Sequence, residues 1–175
     1  MFSNKALKKL ILPLIIEQIL IMAVGVADTV MVSYAGEVAI SGVGLVDMFN
    51  NLIITVLAAI DAGGAIIVSQ YIGNKDRKNA NKASSQLLTI TIVIATVIML
   101  GCLVFHRILL STFFGAIEMD VMKAATTYFL ISAISFPFLG VYNSAAALYR
   151  SMEKTRTTMY VSILMNIINV VGNYI

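Results

Sequence analysis

The first long apolar run of the chain, from Ile11 to Tyr34, contains two acidic residues, Glu17 and Asp28. A run of this length can cross a bilayer as one helix, which needs about 20 mostly apolar residues. A carboxylate inside such a helix costs a few kcal/mol, roughly 2.5–3.5 for Asp near the middle of the membrane. It therefore normally faces a cavity or a partner, and the two acids indicate a membrane helix that carries a proton or ion site.

The composition indicates that lipid is the solvent of this chain. Of its 175 residues, 59% are hydrophobic and 12% are charged, whereas roughly 25% of the residues of a soluble domain are charged. Cys102 is the one cysteine, which excludes a disulfide framework. The sequence has no Cys/His cluster with metal-ligand spacing, no Gly-rich phosphate loop and no Ser-His-Asp arrangement. An enzyme, a metal centre and an organic cofactor therefore have no support.

Apolar stretches predict an all-α integral membrane protein with five transmembrane helices. The predicted helices cover about residues 10–34, 40–72, 83–114, 122–149 and 157–175. The first stretch is longer than the 7–15-residue core of a signal peptide, so we expect it to stay in the mature protein. The last stretch is barely one span, and we expect the 175 residues to be the N-terminal piece of a longer chain.

The basic residues are concentrated on one predicted side of the membrane. Ten of the twelve lie before the first helix or in every second loop: Lys5, Lys8, Lys9, Lys75, Arg77, Lys78, Lys82, Arg150, Lys154 and Arg156. By the positive-inside rule, we expect these segments and the N-terminus in the cytoplasm, in a multi-pass protein of the inner (plasma) membrane. The net charge of +3 thus has a topological origin, and nucleic acid is not an expected partner.

Three asparagines, Asn166, Asn169 and Asn173, fall on one face of the fifth predicted helix. They are interpreted either as a hydrogen-bonded seam between helices or as part of a binding site. At about 1.5 Å per residue, Asp28 lies about 27 Å and Asn173 about 24 Å along two helices that run in the same direction. Their side chains are therefore predicted at the same level, in the outer half of the membrane.

Further acids within the predicted helices are Glu17, Asp47 and Asp61. Asp47 on the second helix is predicted to lie roughly level with Asp28, whereas Asp61 is expected to be solvated near the cytoplasmic surface. Glu17, with Gln18 beside it, is interpreted equally as a packing carboxylate and as a transport residue. These spacings alone leave both interpretations open.

The chain has only two prolines, Pro13 and Pro137, and both lie inside predicted helices. Each removes a backbone hydrogen bond and is expected to kink its helix, either as a hinge or as a structural feature only. Gly63 and Gly64 allow close helix approach or local bending, and close packing is the preferred interpretation.

Several sequence blocks resemble the multidrug and toxic compound extrusion (MATE) family. The blocks are residues 13–18 (PLIIEQ), 26–32 (VADTVMV), 63–76 (GGAIIVSQYIGNKD), 137–155 (ending YRSMEKT) and 166–174 (NIINVVGNY). They follow the family's order over nearly the whole chain. The resemblance implies twelve helices in two six-helix lobes, of which this chain supplies five helices of the N-terminal lobe. It also implies a secondary antiporter that exports organic cations or drugs in exchange for protons or sodium.

The resemblance further implies which residues form the site. Asp28 matches the first-helix acid that binds the coupling cation, and Asn169 and Asn173 match its partners on the fifth helix. Because position 173 is often Asp in the family, Asn at this position lowers the negative charge and argues against strong sodium binding. Secondary transport candidates are Glu17, Gln18, Asp47 and Asn166. The implied partners are small organic cations, the coupling ion (H⁺ or Na⁺), the lipid bilayer and the remaining helices of the same transporter.

Two other functions remain open from the sequence. A lipid or oligosaccharide flippase shares the general fold, but it would carry more basic residues along its cavity, and the embedded ionisable residues here are acidic. An inactive membrane fragment follows if the natural chain ends at Ile175. The sequence leaves open the drug, the choice between proton and sodium, and the oligomeric state.

Overall fold

The computed structural model describes residues 4–115 and 117–174, and the side chains of residues 7–115 and 117–172. The described chain is all-helical, as predicted. It forms α1 (Asn4–Ser33), α2 (Glu37–Gly73), α3 (Arg77–Phe114), α4 (Met119–Ser151) and α5 (Thr155–Tyr174). Helices α1 to α4 are long and apolar enough to cross a membrane. Helix α5 is interrupted by Thr, Ser and Asn, and its described residues do not reach the same hydropathy and length.

Very short turns connect most of the helices and make neighbours in sequence antiparallel. Gly36 adopts φ 101° before α2, and Lys75 and Glu153 adopt φ 59° and 60° in the turns that follow α2 and α4. Asp76 caps α3, because its carboxylate accepts hydrogen bonds from the backbone N–H of Asn79 at 3.1 Å and from the Asn79 amide at 2.7 Å. These bonds favour the charged form and lower the pKa of Asp76 below its ordinary value.

The alternation of direction places all the basic segments at one end of the molecule. We call this the basic end; it contains the start of α1, the α2–α3 turn and the α4–α5 turn. The opposite end contains the α1–α2 turn and the α3–α4 connection. Helices α1, α3 and α5 run from the basic end to the opposite end, and α2 and α4 run back, so α1 is parallel to α5 and α2 is parallel to α4.

The helices pack as two groups. Helices α2, α3 and α4 form a three-helix bundle around a common apolar core, and α1 packs mainly along α5 to form a helix pair. The largest fully buried apolar side chains all belong to the bundle: Val46, Leu57, Val68, Leu110, Phe129 and Phe136. Contacts between the pair and the bundle are sparse, which leaves room for a cavity between them.

Glycines allow the bundle helices to approach closely. A Cβ added to Gly42 would lie 2.9 Å from the backbone nitrogen of Ala125 on α4. Gly64 packs directly against the Leu87 side chain of α3, whereas a Cβ at Gly63 would meet no described atom within 4 Å. Close packing was the preferred interpretation of this glycine pair, and it is correct for Gly64.

The two prolines do not divide their helices. Helix α1 continues on both sides of Pro13, which is buried, and α4 continues on both sides of Pro137. Helix α3 is likewise continuous through His106 to Phe114. A hinge function for either proline stays a prediction.

Replacing Gly42 by Val tests the close approach of α2 to α4. Because the nearest obstacle is backbone, which cannot rotate away, we expect Gly42→Val to destabilise the protein by about 1–3 kcal/mol, the usual cost of overpacking. Gly44→Val is the matched control, since a Cβ at that position meets nothing within 4 Å. Thermal unfolding of the full-length protein in detergent measures both; equal melting temperatures for the two variants would contradict the packing.

Candidate functional site

Glu17 is buried where α1, α4 and α5 meet, in the half of the molecule nearer the basic end. Its side chain is 5% exposed. One carboxylate oxygen accepts a hydrogen bond from Thr158 Oγ1 of α5 at 2.8 Å, and the other accepts one from Arg150 Nη1 of α4 at 3.2 Å. These contacts support the packing interpretation of Glu17, while the adjacent Gln18 is exposed.

The hydrogen bond between Glu17 and Thr158 sets the register of the parallel helices α1 and α5. The two residues are 141 positions apart, and Asp28 and Asn169 are separated by the same number. Because both helices rise about 1.5 Å per residue, Asn169 is level with Asp28. Asn173 follows Asn169 one turn further along α5, and because its side chain lies outside the described residues, its predicted position beside Asp28 stays a prediction.

Asp28 and Asn169 line a cavity of about 640 Å³ between the helix pair and the bundle. The bundle contributes Asp47 of α2 and Tyr128 of α4 to the same lining. The structure therefore brings together one acid and one amide of the helix pair with a second acid from the bundle. Asn166 and Gln18 are not part of this lining among the described residues.

Hydrogen bonds between the parallel helices α2 and α4 hold the bundle side of the cavity. Tyr128 Oη donates to Asp47 Oδ1 at 3.0 Å, and one turn further Ser132 Oγ donates to Asn50 Oδ1 at 3.2 Å. The phenol orients the Asp47 carboxylate and supplies one neutral partner for its charge. No pattern within α4 alone identifies Tyr128 or Ser132 as partners, because the pairing depends on the register between two helices.

Asp61 is the clearest error of the sequence-based expectations. It was expected to be solvated, yet its exposure is 2%. Its Oδ1 accepts hydrogen bonds from Thr91 Oγ1 of α3 at 2.8 Å and from Ser144 Oγ of α4 at 2.6 Å. Two hydroxyls on the neighbouring helices make this burial possible, and they are 30 and 83 residues away in sequence.

The cavity of 640 Å³ has the chemistry of a cation site. Carboxylate, amide and phenol oxygens suit a proton, a hard metal ion or an ammonium group. Low-polarity surroundings strengthen the attraction between a carboxylate and a cation. Within the described residues, no group of three or more His, Cys, Asp or Glu is arranged to hold a metal ion.

Long apolar helices with inward-facing acids define a multi-pass helical membrane protein. The MatE family profile matches residues 13–175. The chain belongs to this family, as the resemblance indicated.

Similar proteins support this assignment. The chain is 28% identical over 184 residues to "Uncharacterized transporter YisQ" of Bacillus subtilis, covering 99% of this chain and 40% of that protein. It is 29% identical over 174 residues to "Probable multidrug resistance protein NorM" of Halalkalibacterium halodurans, covering 99% of this chain and 37% of that protein. The chain thus spans well under half the length of these relatives.

The fold matches that of a solved transporter. A MOP superfamily transporter from Pyrococcus furiosus superposes with a TM-score of 0.90 at 21% sequence identity, covering 97% of this chain and 37% of that one. At this identity the likeness concerns the fold alone. It agrees with the predicted all-α membrane fold.

Replacing Glu17 by Gln tests its role in joining three helices. The amide keeps an acceptor for Thr158 but loses the charge that binds Arg150, so we expect a loss of about 1–3 kcal/mol in the free energy of unfolding. The neighbouring Gln18→Ala, at an exposed position, should change stability by less than about 0.5 kcal/mol. Chemical unfolding of the full-length protein measures both, and an unchanged Glu17→Gln midpoint would contradict the assignment.

Proposed function

We propose that this chain is part of a secondary antiporter that exports small organic cations in exchange for protons or sodium. The observation that supports the proposal most directly is the cavity in which Asp28, Asp47 and Asn169 face a common space. Its volume of about 640 Å³ falls within the range of about 300–1,000 Å³ typical of small-molecule sites. The relatives of this chain include proteins named as probable multidrug resistance proteins.

Asp28 is proposed as the residue that couples ion and cargo. It is partly buried on a mostly apolar helix, where desolvation disfavours a free charge. A proton or a sodium ion taken up there would neutralise the carboxylate and weaken its attraction for a cationic cargo. Asn169, level with it on α5, would hold either the ion or the carboxylate in place.

The sparse contact between the helix pair and the bundle supports a mechanism by relative movement. Glu17 ties α1 to both α4 and α5 toward the basic end, whereas the cavity occupies the half nearer the opposite end. Neutralising Asp28 would let the two groups close over the cavity in that half. We propose that this closure is part of alternating access, in which a whole transporter rocks two repeats around a central site.

The proposed orientation follows from the distribution of charge. Placing the basic end in the cytoplasm of a cell with an inner membrane satisfies the positive-inside rule. The Asp28 cavity would then be loaded with protons or sodium from outside. A flippase for anionic lipid or oligosaccharide cargo is disfavoured, because the described residues that line the cavity include two acids and no basic side chain.

Neutralising Asp28 tests the coupling. In cells that carry the full-length protein, we expect Asp28→Asn to reduce efflux of a fluorescent organic cation by at least about tenfold, to near the background of cells without the transporter. Glu37→Gln is the matched control, because Glu37 is an exposed acid at the start of α2. With equal amounts of protein in the membrane, wild-type efflux by Asp28→Asn would remove Asp28 from the mechanism.

The asparagines of α5 provide a second test. We expect Asn169→Leu to reduce efflux strongly, because it replaces a polar group of the cavity lining by an apolar one. Asn166→Leu, one turn away and outside the described lining, should have a clearly smaller effect. The same transport assay compares the two, and equal losses would argue that the asparagines act as a packing seam only.

A further inference from the structure

The two carboxylate oxygens of Asp61 differ in their hydrogen bonding. Both hydroxyl donors, Thr91 and Ser144, bind Oδ1. Within the part of the chain that the structure describes, Oδ2 is fully buried and has no hydrogen-bond partner. A buried carboxylate oxygen without a donor is costly unless a positively charged partner lies beside it. The geometry therefore calls for a cation beside Oδ2.

A cavity of about 310 Å³ lies beside Asp61 at the basic end of the bundle. Its lining includes the side chains of Ser69, Asn143 and Ser151. The two serines donate their hydroxyl hydrogens to backbone carbonyls, and a hydroxyl that donates keeps oxygen lone pairs that can bind a cation. Together with the Asn143 amide oxygen, these groups supply oxygen ligands of the kind that hard metal ions prefer, in a lining that also contains Arg150 and apolar residues.

We infer that Asp61 and this cavity form a second cation site, which binds a small monovalent metal ion such as Na⁺ and is separate from the Asp28 cavity. One carboxylate carries a single negative charge, which one monovalent cation balances. A divalent ion would require more acids than the described residues supply, since none of them form a group of three or more His, Cys, Asp or Glu. The volume is at the lower limit for an organic ligand, which favours an ion with a few waters.

Arg150 is the competing cation for Asp61. It lines the same cavity, but its guanidinium donates to Glu17 at 3.2 Å. One arginine cannot neutralise two buried acids on different sides at once. While Arg150 binds Glu17, Asp61 needs another positive charge, and a metal ion from solution supplies it. This inference does not depend on drug export, because it concerns a different acid at the other end of the bundle.

Sodium binding to the full-length protein tests the second site. The measurement is the number of ²²Na⁺ ions bound per purified transporter, in an Asp28→Asn background that removes the first site from the count. We expect Asp61→Asn to lower the number by one in this background, whereas Glu37→Gln leaves it unchanged. An unchanged number after Asp61→Asn would overturn the inference, whatever Asp28→Asn does to efflux.

Two further variants keep the test decisive. Asn at position 61 retains an acceptor for Thr91 and Ser144; if that variant fails to fold, Asn143→Leu keeps the acid and should weaken Na⁺ binding by at least about tenfold. Arg150→Gln removes the competing charge and should strengthen Na⁺ binding. Na⁺ binding at Asp61 that appears only after Arg150→Gln would show that Arg150 is the natural counter-ion and would overturn the inference.

Discussion

The ion pair between the buried Glu17 and the partly exposed Arg150, extended by the Thr158 hydroxyl, is the contact on which the rest of the arrangement depends. An unpaired carboxylate in an apolar interior costs several kcal/mol, so α1 must present Glu17 to partners on α4 and α5. That requirement determines which faces of the three helices meet. It also sets how far α1 and α5 are displaced along each other, and so the level at which Asp28 faces Asn169.

The same principle operates inside the three-helix bundle. Along the parallel helices α2 and α4, three polar contacts occur at sequence separations of 81, 82 and 83, involving Asp47, Asn50 and Asp61. A nearly constant separation means a single register along most of the shared length. Polar contacts thus align both parallel pairs of helices, and Gly42 allows α2 to approach α4 closely. The Asp28 cavity lies between these two aligned units.

Sequence reasoning succeeds in this chain where the information is local. Apolar runs predict the helices, and the alternation of basic loops predicts which helix ends lie together. The register between helices is not local, so the level of Asn169 with Asp28 follows only from the contact between Glu17 and Thr158. Asp61 shows the same limit more clearly: its partners, Thr91 and Ser144, lie on other helices. The position of Asp61 near the end of an apolar run indicates exposure to solvent. Its burial follows only from the packing of α2 against α3 and α4.

Disulfide cross-linking tests the register of α1 and α5 most directly. In the full-length protein with Cys102→Ser, Asp28→Cys is combined with either Asn169→Cys or Asn173→Cys, and the membranes are treated with an oxidant. The register set by Glu17 and Thr158 predicts efficient cross-linking of positions 28 and 169 and little between 28 and 173. Preferential cross-linking of 28 with 173, or none with either, would contradict the alignment that creates the Asp28 cavity.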